Sequence, residues 1–379
     1  MIKQTDVLIV GAGPAGLATA IGLAQVGVDF RIVDALPAAQ NTSRAAVIHA
    51  ATLQTLGRLG VADRLIAQGI KAPDFRVRDR DRVLLEVAFS VLGGESPFAL
   101  MIPQDETEAI LSARLQEMGH DILRPALITQ LDQHANGVLA TLDQLGEEYS
   151  LQARFVVGAD GEKSFVRAQA GIAFPGATYG SFMLADVHMD WPIGQHEVGL
   201  FFAAQGTLVV APMSRQRYRV VAQLADAPSL PTVADVQRVI DQRGPTSGAR
   251  VQEVLWGSRF QVHHKLADRF HAGPFLLVGD AAHVHSPAGG QGMNLGLRDA
   301  EALATALAGF LNGEKDMLDT YDTKRRALAG QVLERTDRLT RMATLRSPAM
   351  RWFRDTTLST VGHSSAVRKR IAMMLAGFS

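Results

Sequence analysis

The chain has 379 residues, room for one large domain or two moderate ones around a substantial core. It carries 38 basic and 38 acidic residues, so no net charge points to nucleic acid or an anionic membrane as a partner. It has no cysteine, which excludes disulfides, thiolate metal sites and cysteine nucleophiles together.

No run of 18 apolar residues exists, and an apolar strand begins close to Met1 with no preceding signal-like segment, so a cytoplasmic protein without a membrane span is expected. Residues 5–10 form that strand. Gly11-Ala12-Gly13-Pro14-Ala15-Gly16 follows at once, residues 17–25 read as a helix, and a second β-run at 30–33 ends in Asp34. This is the adenine-dinucleotide fingerprint in its required context of strand, glycine turn, helix, strand and acid. Gly11 permits the tight turn, Gly13 lets the backbone approach a pyrophosphate, and Gly16 lets the helix sit close on the strand. The helix N-terminus offers N–H groups and partial positive charge to the phosphates, and Asp34 lies where a carboxylate accepts from a ribose. The pattern leaves open whether the dinucleotide is FAD or NAD(P).

After Asp34, Arg44 falls in a loop that can return over the nucleotide, where a guanidinium pairs with pyrophosphate oxygens. An amphipathic helix is expected at 51–59, antiparallel strands between 73 and 98, and a helix at 104–118. Strands follow at 122–123, 126–131 and 138–142, the last two split by an Asn136-Gly137 hairpin signal. Residues 154–161 read as a buried strand running into Gly158-Ala159-Asp160-Gly161, whose acid could simply cap the short helix carrying Ser164 and Arg167.

Between 174 and 263 the pattern alternates as antiparallel strands, with one helical insert at 233–243. Large apolar side chains there, notably Phe182, Phe201, Met213 and Trp256, are core candidates that together could line a pocket for a flat apolar molecule. A second apolar strand at 275–278 ends in Gly279-Asp280, at the carboxyl end where open α/β sheets bind ligands. Residues 287–294, Pro287 through Gly290, Gly292, Met293 and Asn294, then lead into a helix at 295–311 and place backbone N–H groups at its N-terminus. His283 and His285 lack a supporting carboxylate or cysteine in sequence, so no metal is expected. From about 318 the chain is helical and arginine-rich, and a solvated helical face is the favoured reading.

The three glycine-bearing stretches, with Ser43-Arg44 and Gln104 between them, resemble the flavoprotein aromatic hydroxylases of the para-hydroxybenzoate hydroxylase and phenol hydroxylase group, which includes polyketide hydroxylases. That resemblance implies an α/β fold: a Rossmann-like FAD-binding domain of the GR2 type from residues 1–71, 100–173 and 268–345. An interleaved antiparallel substrate domain would come from 72–99 and 174–267, with C-terminal helices at 346–379. It implies that Asp34 binds the adenosine ribose, Arg44 and Gln104 contact the phosphates and ribityl chain, and Asp280 contacts the pyrophosphate–ribityl region. Gly290–Asn294 would face the flavin pyrimidine edge, where a helix N-terminus stabilises charge on reduction, and Asp160 would serve both FAD and a transient NADPH or NADH.

The implied reaction is reduction of FAD by NAD(P)H, then transfer of oxygen from a C4a-hydroperoxide, formed with O2, to an aromatic ring, phenolic or polyketide-like, beside Pro287. A substrate-activating base is not decided among His188, His263, His264 and Tyr179. Two departures stand out: many such hydroxylases continue into a thioredoxin-like C-terminal domain, whereas this sequence ends after its helical segment, and Pro274 replaces an arginine common before Gly-Asp. A monomer or homodimer is expected. Baeyer–Villiger insertion or epoxidation on the same scaffold, a flavin-dependent reductase or halogenase, and a flavin-binding regulatory protein are the alternatives; Trp191-Pro192-Ile193 stands without the second tryptophan of a halogenase signature.

Overall fold

A computed structural model describes residues 3–39, 45–214, 216–285, 290–343, 345, 347–362 and 364–378. Its helices are α1 (Pro14–Gln25), α2 (Ala50–Arg58), α3 (Ala62–Gln68), α4 (Gln104–Glu117), α5 (Phe165–Gln169), α6 (Val233–Arg243), α7 (Gln291–Leu311), α8 (Met317–Ala343), α9 (Pro348–Val361) and α10 (Ser365–Leu375).

The first sheet is wound around Lys3–Val10, which pairs in parallel with Phe30–Val33 on one side and with Glu147–Gly158 on the other. Ile122–Leu123 and Phe275–Leu277 extend the parallel ladder at its two edges. A strand buried on both faces must be apolar throughout, and Val7, Leu8 and Ile9 are fully buried. α1 is likewise enclosed: Gly16 through Leu23 are all buried, and a Cβ at Gly22 would lie 2.7 Å from Ala304 Cβ of α7. The hairpin joining Leu127–His134 to Gly137–Gln144 turns at Ala135 and Asn136, as the Asn-Gly signal predicts.

The second sheet has eight strands in the order His283–Val284, Arg250–Leu266, Gly176–Asp190, Arg217–Leu224, Gly206–Ser214, Glu197–Ala203, Asp74–Asp79 and Arg82–Ala88. All neighbours are antiparallel except Glu197–Ala203 beside Asp74–Asp79. Within the stretch expected to alternate as antiparallel strands, Arg250–Leu266 is a single strand of 17 residues that runs past its expected end at 263. α6 matches its expected span because Thr232 and Asp235 form a reciprocal capping box. A three-stranded sheet of Val47–Ile48, Ala99–Met101 and Ile70–Ala72 completes the β-structure among the described residues. The fold class is thus the expected one, a Rossmann-like α/β layer with a second, antiparallel layer threaded through it.

Candidate cofactor and substrate site

A cavity of about 700 Å³ lies between the two large sheets. One end is built from chain turns at the carboxyl ends of parallel strands: Gly13, Pro14 and Ala15, then Ala159, Gly161 and Glu162, then Gly279 and Asp280. The three fingerprint glycines do different work. At Gly11 the backbone has φ +101°, and a Cβ would lie 2.4 Å from the carbonyl oxygen of Ala159. At Gly16 a Cβ would lie 2.0 Å from the Gly11 oxygen. Gly13 is the opposite case, since a Cβ there would meet nothing within 4 Å. The first two close the turn against protein, and the third opens onto the cavity. α1 begins at Gly13 with no side-chain cap and no acid in its first turn, which leaves its leading N–H groups for an anion.

Asp34 is held beside this turn. Its Oδ2 accepts from Ala12 N at 2.7 Å, its Oδ1 accepts from Leu36 N at 2.9 Å, and Arg124 Nη2 lies 3.6 Å from Oδ2. Arg124, which the sequence reading missed, also donates to Ala12 O. Gln104 starts α4 and lines the cavity; its Nε2 donates to Glu108 Oε1 at 2.8 Å and its Oε1 accepts from Ala45 N at 3.4 Å. Glu108 is buried against the same cavity, and burial pushes its carboxyl above the usual range against the pull of the Gln104 hydrogen bond.

α7 supplies the opposite wall through Gly290, Gly292, Met293 and Gly296. Gly290 is left-handed, and a Cβ there would lie 2.0 Å from Val47 Cγ1. Like α1, α7 has no side-chain cap and no acid in its first turn. Asn294 is buried and ties the wall together: its Oδ1 accepts from His49 N, and its Nδ2 donates to Val47 O and Gly290 O. Asn294 therefore braces the loop from behind and does not line the cavity. Asp160 is also turned inward, with Oδ1 accepting from Ser164 Oγ at 2.5 Å and Oδ2 from Val166 N at 3.1 Å, so it supports the start of α5, whose N-cap is Ser164, while its neighbours Ala159 and Gly161 face the cavity. Arg44 and Pro287 lie outside the described residues.

The far end is apolar. Of the four expected pocket residues only Phe182 lines it, stacked on Phe260 at 5.5 Å. The others are corrected by strand geometry. Leu200 and Phe202 face the cavity, so Phe201 between them faces the opposite side, fully buried and edge-on to Trp191. Met213 packs with Ala46, Ala72 and Met101 beneath the wall. Trp256 pairs opposite Asp186, away from the lining stretch at 260–263. The helical segment from about 318, whose arginine-rich face reads from sequence as solvated, lines the cavity with Leu339 and Met342 of α8, Leu358 of α9, and Ile371, Met374 and Leu375 of α10.

Three charged groups were not foreseen. Arg219 lines the cavity while its Nε and Nη2 grip both oxygens of buried Asp186. At the mouth, Glu162 Oε1 accepts from Lys265 Nζ at 2.9 Å and lies 3.6 Å from His263 Nε2; His263 Nδ1 meets Thr178 Oγ1 at 2.9 Å. Of the three candidate histidines, His263 is thus the one at the cavity, and the side chain of Tyr179 lies outside the described residues. His264 takes the other face of the strand, where burial pushes its imidazole down, and His188 pairs with Glu253. Behind the α7 loop, His283 Nε2 is 2.6 Å from Asp299 Oδ2, and Arg325 also pairs with Asp299. Burial alone would push the Asp299 carboxyl up, but Arg325 and His283 hold it below the usual range. His283 thus has a structural partner, and among the described residues no cluster could hold a metal ion.

Glycine cradle, unopposed helix N-terminus and open wall define an α/β dinucleotide-binding protein with an attached apolar chamber. The model of the family described as FAD binding domain matches residues 4–336, and the chain belongs to that family. It is 34% identical over 346 residues to pentachlorophenol 4-monooxygenase of Sphingobium chlorophenolicum, covering 87% of this chain and 63% of that protein. It is 33% identical over 353 residues to 6-methylpretetramide 4-monooxygenase of Streptomyces rimosus, covering 90% and 63%. The chain therefore spans less than two thirds of the length of these relatives. The solved structure of p-nitrophenol 4-monooxygenase from Pseudomonas putida matches with a TM-score of 0.89 over 98% of both chains, and its 24% identity makes this a likeness of fold.

Proposed function

We propose that the protein is an FAD-dependent, NAD(P)H-consuming monooxygenase that hydroxylates an aromatic small molecule, phenolic or polyketide-like. The observation that carries this reading is the continuity of one cavity from the Gly13 cradle, past the α7 N-terminus, into the chamber lined by Phe182, Phe202 and Phe260. Both relatives named above are monooxygenases by name.

Bound FAD supplies hydride acceptance from reduced nicotinamide and activation of O2. The chain's own part is binding and orientation. The α1 N-terminus and Gly13 hold the pyrophosphate, Asp34 and Arg124 the adenosine side, and Gln104 and Asp280 the ribityl region. The α7 N-terminus presents its dipole to the ring edge where negative charge gathers. The apolar chamber excludes water from the substrate, and His263, with Nδ1 held by Thr178 Oγ1, offers Nε2 as the acceptor for a phenolic proton, with Glu162 beside it at 3.6 Å.

We assign residues 1–71, 100–173 and 268–345 to a cofactor unit and 72–99 and 174–267 to a substrate unit; the first sheet lies within the cofactor unit, and the substrate unit supplies every strand of the second sheet except its edge strand His283–Val284. A cytoplasmic location and a monomer or homodimer complete the reading. The test is oxidation of NADPH or NADH by the purified yellow protein under labelled O2 with a panel of phenols. One labelled oxygen atom in the aromatic product is expected. Nicotinamide oxidation that yields only hydrogen peroxide with every phenol would favour the reductase alternative instead.

A further inference from the structure

The C-terminal helices have two faces, and only one is accounted for by the cavity. α9 turns Leu358 inward, and α10 turns Ile371, Met374 and Leu375 inward. Outward, α9 exposes Met350 (55%), Trp352 (69%) and Phe353 (67%), a concentration of aromatic surface unlike the scattered single apolar residues normal for a protein exterior. α10 exposes Arg368, Lys369 and Arg370 in succession.

Charge is distributed to match. Residues 346–379 hold six basic side chains against one acidic, Asp355, in a chain whose totals balance at 38 each. Arg354 is committed inward, buried over the Phe202 ring and paired with Asp355, and Arg351 is half-buried. Aromatic and basic side chains on short amphipathic helices are the composition of an interfacial membrane anchor. A second copy of the chain is the competing occupant. An isologous contact would set this basic segment against itself, whereas anionic headgroups complement it.

We propose that α9 and α10 form a docking face for an anionic lipid bilayer. Met350, Trp352 and Phe353 enter the boundary between headgroups and acyl chains, and Arg368, Lys369 and Arg370 meet the headgroup charge. Because the inner faces of the same helices wall the cavity, docking sets that wall against the phase in which apolar molecules concentrate. This holds whatever reaction the cavity supports.

The experiment is co-sedimentation of the purified full chain with vesicles of phosphatidylcholine alone and of phosphatidylcholine mixed with phosphatidylglycerol. Binding to the mixed vesicles alone is expected, with release at high salt. The W352S/F353S and R368Q/K369Q/R370Q variants, whose altered side chains are all exposed, should each weaken binding by about tenfold or more while keeping the parent's thermal unfolding midpoint. Equal binding to both vesicle types, or none, would overturn the proposal. So would a dimer in analytical ultracentrifugation that W352S/F353S converts to monomer, because a second copy would then be what covers the face.

Discussion

The carboxylate of Asp186 takes Arg219 Nε at 2.7 Å and Nη2 at 2.9 Å, while Arg219 Nη1 reaches the carbonyl oxygen of Ala45 at 2.9 Å. One guanidinium thus ties the antiparallel sheet to the loop that follows the second parallel strand. The pair is almost completely buried, and directly opposed in the ladder. Removing one member of such a pair leaves an uncompensated charge, which costs about 3–5 kcal/mol. Arg217 still reaches Asp186 Oδ2 at 3.0 Å, so Arg219→Leu should fall at the low end, about 3 kcal/mol, in urea unfolding. The double variant Arg219→Leu, Asp186→Leu should recover most of the loss. A double variant no more stable than the single would show that the Ala45 contact, and not the charge, is what matters.

Gly11 and Gly13 should respond oppositely to the same methyl group. Gly13→Ala has ordinary backbone angles and open space around the new Cβ. The apoprotein should keep its stability to within about 0.5 kcal/mol, while FAD affinity drops about tenfold because the methyl occupies ligand space. Gly11→Ala forces a left-handed residue into contact with Ala159 O and should destabilise the apoprotein itself, by about 1–3 kcal/mol from backbone strain alone. Thermal melts of the apoproteins and titration with FAD separate the two. Unchanged FAD affinity in Gly13→Ala would remove this turn from the cofactor site.

Glu108 carries a pH dependence whose sign follows from its burial. Its carboxyl is pushed up chiefly by desolvation. The folded chain then binds that proton more tightly than the unfolded chain. Stability therefore falls as pH rises from the ordinary carboxylate value, about 4.3, through the raised one, and stays lower at neutrality. Glu108→Gln retains an acceptor for Gln104 Nε2 and has no proton to lose. The variant apoprotein should be more stable than the parent in urea near pH 7, with the gap closing near pH 4. A gap of the same size at both values would mean that packing, not ionisation, causes it.

Local pattern carried what local pattern encodes. The opening strand, turn and helix were legible because an apolar run, a glycine spacing and a 3.6-residue period coincide within 30 residues, and α6 because its cap is written at Thr232 and Asp235. The site's other half depends on register. Asp186 and Arg219 are 33 residues apart, and nothing in either neighbourhood announces that they sit opposite each other. Asp160 shows the limit from the other side: an acid after a Gly-ended strand reads equally as a ligand contact or a helix cap, and its hydrogen bonds to Ser164 and Val166 become visible only once α5 has folded against it. The inward faces of α9 and α10 were not marked, because the arginines of this segment drew the reading to a solvated helical face and which apolar residues meet the cavity depends on tertiary packing.

The same register problem makes Phe182 and Phe201 a discriminating pair. Both are buried, at 7% and 0% exposure, but the cavity touches only Phe182. Phe201→Ala removes a core ring packed against Trp191 and should cost about 3–5 kcal/mol, with little change in the affinity of a phenolic ligand for the protein that remains folded. Phe182→Ala should cost less, about 1–3 kcal/mol, because the void it leaves joins an existing cavity. It should nevertheless weaken a phenolic ligand about tenfold through the loss of an aromatic wall that stacks on Phe260. Ligand titration followed through flavin absorbance, beside urea unfolding of each variant, reads both quantities. If Phe201→Ala lost ligand affinity and Phe182→Ala did not, the substrate would bind on the opposite face of the antiparallel sheet, and the apolar end of the cavity would no longer count as the chamber for the aromatic ring.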